Sequence, residues 1–361
     1  MKKPGTETES LHENVYGKTF SLYGKKDMEE FINPFEVRFE RNGLNKKEIF
    51  QGMKCLDAGC GNGRGTIFML LNGAAHVTAV DVSPSNIEST KRFVNEFRLP
   101  SVDARMATLE RLDFPDASFD FIWCNSVIMH TAHPNQCVSE LSRVLKPGGK
   151  AWFYVYGSGG LYWRAIQKIR WYLKDCRIDS VTAFLQLLRY EPRYIGEFID
   201  DWFASHLRTW TEKDFTKRLG EAGFENTNTL QRGVEYDTSE RRHKYSSKDQ
   251  LELMGEGDLR YLVTKKNELK NSAGSIDEGE YGSEYAWPEI VTSVIDEPMK
   301  IIAERTKSSS YLRIAAFAYF QRELRLLLND SAEFSIGKLE KLFDTIHELT
   351  NEGGKMFQSK S

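Results

Sequence analysis

The sequence predicts an α/β fold, a mostly parallel sheet with helices on both faces, joined to further helical regions. Three observations carry that expectation. Short apolar runs alternate with amphipathic segments from about residue 50 to about 160. A glycine-rich turn, CLDAGCGNGRG at 55–65, directly follows the first apolar run and opens a helical one. Beyond residue 288 the apolar side chains recur at helical spacing, as in Ile336, Leu339, Leu342, Phe343, Ile346 and Leu349.

The elements follow in order. Residues 1 to 15 read as disordered, and MEEFINPFEVRFERNGL at 28–44 as one or two short helices broken near Pro34. MKCLDAG is the first strand and GRGTIFMLLNGA its helix. HVTAVDV is the second strand. The helix after it starts with Ser83 as N-cap and Pro84 in the first turn. SVDARMAT is a weaker strand and SFDFIWCNSV a stronger one. NQCVSELSRVLKPGG is a helix closed by Pro147, Gly148 and Gly149. KAWFYVYG, a helix stopped by Gly223, and GDLRYLVTKK complete the alternation.

Composition narrows the function classes. Lys and Arg total 49 against 52 Asp and Glu, so no basic excess marks a nucleic-acid-binding chain. The five cysteines form no CxxC pair and carry no zinc spacing, so they read as reduced thiols and no metal is expected. No apolar run approaches the roughly 20 residues of a membrane span. MKKPGTETESLHENVYGK lacks the apolar core of a secretory leader. A soluble, cytoplasmic protein is the expectation.

The glycine turn locates a ligand. A parallel sheet binds at the carboxyl ends of its strands, and a helix starting there points free N–H groups back at the site. Glycine lets a ligand press against main chain. Asp57 stands just ahead of the glycines, where it repels a pyrophosphate and suits a cationic amino group. Asp81 ends the second strand about twenty residues on, where a carboxylate accepts from ribose hydroxyls or meets a helix N-terminus. The ligand so described has a ribose and a positive charge but no phosphate.

With LDAGCGNGRG, VTAVDVS, ATLERLDFPDASFDFIWCNSVIMH and ELSRVLKPGG in this order, the chain resembles the class I S-adenosylmethionine-dependent methyltransferases, of the methyltransferase type 11/25 kind, over about residues 45 to 156. The resemblance weakens over 210 to 265 and is lost elsewhere. It implies a Rossmann-like, seven-stranded sheet. It implies that Asp57, Gly59, Cys60, Gly61, Asn62 and Gly63 cradle the methionine part of the cofactor, that Asp81 holds the ribose and that Val82 flanks the adenine. Thr108 stands where the family often has an acidic residue for the adenine amino group, with Leu109 offering its main chain. Asn125 falls next to the transferred methyl.

For the chemistry, His130 is the candidate general base; the other reading is a histidine bonded to a nearby loop. His133, before Pro134, reads as a helix cap. Tyr156 and His206 are candidate substrate-lining residues, and Tyr16 and Tyr23 could close the cofactor side. NSVI follows the fourth strand where enzymes acting on exocyclic amines or glutamine amides carry a Pro-Pro pair.

The domain plan is then an N-terminal helical segment at 1–44 and a methyltransferase domain at 45–265, with an aromatic- and arginine-rich insertion at 157–209. A linker at 266–288 and a helical region at 289–361 follow. The insertion reads as a substrate-enclosing cap, or as a structural layer or dimer contact. The expected activity is methylation of a small molecule, oxygen favoured over nitrogen or carbon. The rivals are an RNA or protein methyltransferase and a non-catalytic module. The partners expected are a small molecule, no nucleic acid and a homodimer through the helical regions.

Overall fold

The computed structural model of the 361-residue chain describes residues 13–100, 102–231, 247–267, 287–329 and 334–351. The stretch expected to be disordered, up to residue 12, and most of the expected linker, 268–286, lie outside the described residues. The chain divides into two compact units, Met1–Tyr156 with Ser205–Gln231 and Leu259–Ser283, and Gly157–Ala204 with Arg232–Asp258 and Glu284–Ser361.

The first unit holds a seven-stranded sheet. Its strands are β1 (Lys54–Ala58), β2 (His76–Asp81), β3 (Asp103–Met106), β4 (Phe119–Asn125), β5 (Leu145–Tyr156), β6 (Phe224–Glu225) and β7 (Asp258–Lys265). The order is β3-β2-β1-β4-β5-β7-β6. β1 pairs in parallel with β2 and β4, β2 with β3, and β4 with β5; β6 and β7 are antiparallel. The order reverses direction between β1 and β4, so the crevice above that point is the place for a ligand. The two residues of β6 are too few to show a period, and the sequence does not announce them.

Helix Lys25–Arg41 runs through Pro34 unbroken, against the expected break. The proline costs one main-chain hydrogen bond. Against that, Met28, Ile32, Phe35 and Phe39 recur on one face and are fully or nearly buried. Phe39 stacks on Trp152, 5.5 Å between centroids, and Trp152 stacks on Trp123 at 5.0 Å. Packing on this scale outweighs one lost bond. The helix at 134 also departs from expectation. It spans Pro134–Val144, and β5 already begins at Leu145, so Pro147, Gly148 and Gly149 lie within the strand rather than closing the helix. Leu145 pairs with Phe119, and the register shifts before Lys150 pairs with Phe121. The proline and glycines fill that irregularity, where a missing donor is tolerated.

The second unit is helical. The insertion supplies Gly160–Leu173, Ile178–Leu187 and Pro192–Phe203, and the C-terminal region supplies Glu289–Arg305, Ser310–Asn329 and Ile336–Asn351. These two stretches build one core: Gly160–Leu173 packs against both Glu289–Arg305 and Ser310–Asn329. Ile314 to Gln321 are buried without interruption, so that helix is covered on all sides at its centre. A polar network lies inside. Asp201 Oδ2 accepts from Tyr162 Oη (2.6 Å) and Gln321 Nε2 (2.8 Å), and Trp202 Nε1 donates to Gln321 Oε1 (2.5 Å). Arg325 donates to the Tyr162 hydroxyl and pairs with Glu197.

Candidate active site

β1 ends in the glycine turn. Gly59 and Gly61 both take positive φ, +79° and +53°. A Cβ on Gly59 would lie 2.5 Å from the Val127 methyls, and one on Gly61 would lie 3.0 Å from the Phe20 ring. A side chain clashes at Gly59 and is strained at Gly61. The Gly59 and Cys60 N–H groups both donate to Val80 O (2.9 Å each), which binds the turn to β2. Gly63, also left-handed, serves as N-cap of the helix Arg64–Leu71.

Asp57 is buried at 2 % exposure and accepts from Thr66 Oγ1 at 2.6 Å. Burial pushes its carboxyl up to about 7, although the Thr66 hydrogen bonds pull it back. An ammonium group placed beside it would restore the ionised form. Asp81 binds the site together. Its Oδ2 accepts from Gly61 N (2.9 Å), and its Oδ1 accepts from Ser83 N (2.9 Å) and Asn86 Nδ2 (3.1 Å). Of the two roles read from the sequence, the helix start is the one seen here: the carboxylate ties the glycine turn to the start of helix Pro84–Glu96. Ser83 caps that helix, accepting from Asn86 N at 3.1 Å, as expected.

These residues fit an S-adenosylmethionine molecule by one independent observation. Asn62, 1 % exposed within the turn, has its Nδ2 buried with no hydrogen-bond partner among the described residues. A buried amide donor left unmatched costs free energy that a ligand acceptor would recover. Val82 is half-buried beside Asp81. Thr108 follows β3 and is exposed, its hydroxyl accepting from Glu110 N at 3.3 Å. Leu109 is buried, and Ala107 N donates to Asp81 O at 3.0 Å, so this turn adjoins Asp81.

The end of β4 carries the remaining groups. Asn125 Oδ1 accepts from Trp152 Nε1 at 3.1 Å. Ser126 sits at φ +62°, a conformation that costs a non-glycine residue roughly 1–3 kcal/mol and gathers at functional sites. Its Oγ lies 3.2 Å from the Tyr156 hydroxyl. His130 is buried, with Nδ1 2.9 Å from the main-chain oxygen of His206. A carbonyl only accepts, so Nδ1 carries the proton and Nε2 is the basic nitrogen of the neutral ring. Tyr16 and Tyr156 flank this imidazole at 5.6 Å and 5.7 Å between centroids.

Structure thus brings Tyr16, Tyr156, His130 and the main chain of His206 together. His206 contributes its carbonyl, a group every residue has and no sequence pattern reveals. Tyr23 is buried and stacks on Phe31 at 5.4 Å. His133 occupies the N-cap position of helix Pro134–Val144, but its ring makes no capping bond. Two contributors had no sequence signal. Phe20 faces the glycine turn from the N-terminal segment. Arg208 straps the His130 loop: its N donates to Met129 O (3.2 Å) and its guanidinium to Thr131 O and Ala132 O.

Residues 56–153 match the sequence model of the methyltransferase domain. The ubiquinone biosynthesis O-methyltransferase of Maricaulis maris is 34% identical over 125 residues, covering 33% of this chain and 48% of that protein. The enzyme of the same name from a Caulobacter species is 37% identical over 114 residues, 31% of this chain and 44% of that one. The chain therefore spans about half the length of the curated relatives it matches. Among solved structures, a Burkholderia thailandensis 1,6-didemethyltoxoflavin-N1-methyltransferase aligns over 74% of this chain and 93% of its own, at TM-score 0.40 and 16% identity. The matched segment runs from β1 to β5 with the glycine turn, Asp57 and Asp81 along it, and over that segment the chain is similar to methyltransferase domains.

Proposed function

We propose that the protein transfers a methyl group from S-adenosylmethionine to a small-molecule acceptor, with oxygen the favoured acceptor atom. When bound, the cofactor supplies an activated methyl on a sulfonium, so the protein's tasks are orientation, exclusion of water and handling of the acceptor's proton. In this reading Asp57 and Asn62 hold the amino-acid end and Asp81 the ribose. Asn125 stands beside the methyl. The aromatic faces of Tyr16 and Phe20 suit a sulfonium.

The observation that supports oxygen is the His130 imidazole. Its Nδ1–H is spent on the His206 carbonyl, which holds Nε2 ready to take a proton. Tyr156, joined to Ser126, lies against the same ring and would line the acceptor's place. The names of the Maricaulis and Caulobacter relatives agree with an oxygen acceptor.

The test pairs calorimetry with a transfer assay. Purified protein is titrated with S-adenosylhomocysteine, then incubated with labelled cofactor and a panel of hydroxylated, amine-bearing and macromolecular acceptors. The proposal expects nucleoside binding, transfer to a hydroxylated small molecule, and a loss of about 100-fold or more in rate for His130→Gln. Transfer to RNA or protein alone, or an unimpaired His130→Gln enzyme, overturns it. A folded protein that ignores the nucleoside is the non-catalytic module.

A further inference from the structure

Arg64 opens the helix after the glycine turn, and its guanidinium lies over aromatic rings. The guanidinium lies 3.8 Å from the centroid of the Phe31 ring and 5.2 Å from that of Phe35. It makes no hydrogen bond or ion pair among the described residues, although the side chain is half-buried. Burial lowers it to about 10, against the opposing influence of Tyr23, Tyr154, Tyr156 and Asp57. Asp57 is the carboxylate of the same turn, and its Oδ2 is bonded to Thr66.

These neighbours connect Arg64 to the reacting end of the site. Tyr154 pairs in register with Asn125. Tyr156 touches Ser126 and the His130 ring. A guanidinium stacked on an aromatic face keeps its plane fixed and its N–H edge available, the geometry that grips a carboxylate with two parallel bonds. Half-buried over these rings with no acceptor among the described residues, the guanidinium keeps N–H groups for an anionic ligand. The adjoining Asp57 and the tyrosine hydroxyls disfavour a doubly charged phosphate and leave a singly charged group.

We propose that Arg64 binds a carboxylate in this site, either on the amino-acid end of the cofactor or on the acceptor. The assignment rests on the methyltransferase reading above. Full-length protein, Arg64→Met and Arg64→Lys are titrated with S-adenosylhomocysteine and with 5′-methylthioadenosine, which lacks the amino-acid end. With S-adenosylhomocysteine saturating, each is then titrated with benzoate and with neutral benzamide.

If the cofactor supplies the carboxylate, Arg64→Met loses about 10- to 100-fold in S-adenosylhomocysteine affinity, as expected for charge-assisted bonds, and keeps its affinity for 5′-methylthioadenosine. If the acceptor supplies it, S-adenosylhomocysteine affinity is unchanged. The wild type then prefers benzoate over benzamide by a similar factor, and Arg64→Met loses that preference. In either arm Arg64→Lys recovers part of the effect. Unaltered 5′-methylthioadenosine affinity certifies the variants as folded. Should both preferences be absent, or survive in Arg64→Met, the assignment is wrong. Should the wild type bind neither nucleoside, the methyltransferase reading has failed instead.

Discussion

Asp57 in the sheet unit and Asp201 in the helical unit are both buried carboxyls, and burial pushes both upward. Their surroundings differ. Asp201 is enclosed by partners from its own unit, Tyr162 and Gln321, with Trp202 and Arg325 completing the circuit. Asp57 has the Thr66 hydroxyl and stands in a turn of left-handed glycines beside the unmatched amide of Asn62. A satisfied buried network fixes one packing arrangement; a half-satisfied group at a strand end is a cost the fold bears for a ligand. The comparison separates polarity closed within the fold from polarity left unmatched at a strand end.

Substitutions can break that comparison, and the largest effect is expected at Gly59. Gly59→Ala puts a Cβ into Val127 at a φ that L-residues avoid, so denaturation should show about 2–4 kcal/mol of lost stability, with nucleoside binding lost as well. Asp201→Ala leaves Tyr162 and Gln321 with buried groups unmatched. About 2–3 kcal/mol should vanish from unfolding experiments, while calorimetry finds nucleoside affinity unchanged.

Asp57→Asn should act in the opposite sense, weakening S-adenosylhomocysteine by about 10- to 100-fold while stabilising the ligand-free protein. The sign follows from its raised pKa. Between the ordinary carboxylate value of about 4 and the folded value of about 7, the unfolded chain has released a proton that the native state retains. Stability therefore falls as pH rises through that window and levels above it. Melting curves across pH should show the Asp57→Asn variant with a shallower slope, and a slope unchanged from wild type would remove the assignment. Asp81→Ala should cost about 1–2 kcal/mol in nucleoside affinity, through loss of charged hydrogen bonds. Thr66→Val should cost least, about 1 kcal/mol of stability, and should raise the Asp57 carboxyl further.

Much of the sheet unit was legible because its signals are local. Alternating apolar runs set β1, β2 and β4, Ser83 and Pro84 mark a helix start, and the glycines mark a turn whose dihedrals disfavour other residues. Elsewhere local signals misled. Pro34 indicates a break that long-range aromatic packing overrides. Pro147, Gly148 and Gly149 suggest a helix end but lie in an irregular strand. In the helical unit the sequence shows amphipathic faces without naming their partners, and residues as distant as Tyr162 and Gln321 meet in its core.

By itself, then, the sequence determined the alternation of strands and helices, the glycine turn after β1 and the placing of two acids, Asp57 and Asp81, at strand ends beside it. Each of these depends on dihedral preference, side-chain period or charge within a few residues of chain. Tertiary structure alone decided that the His206 carbonyl orients His130, that Ser126 is held left-handed beside Tyr156, and that Arg64 lies over the Phe31 ring with no acceptor among the described residues. Those facts arise from main-chain groups and side chains brought together across long separations, and a one-dimensional pattern carries no record of which surfaces meet.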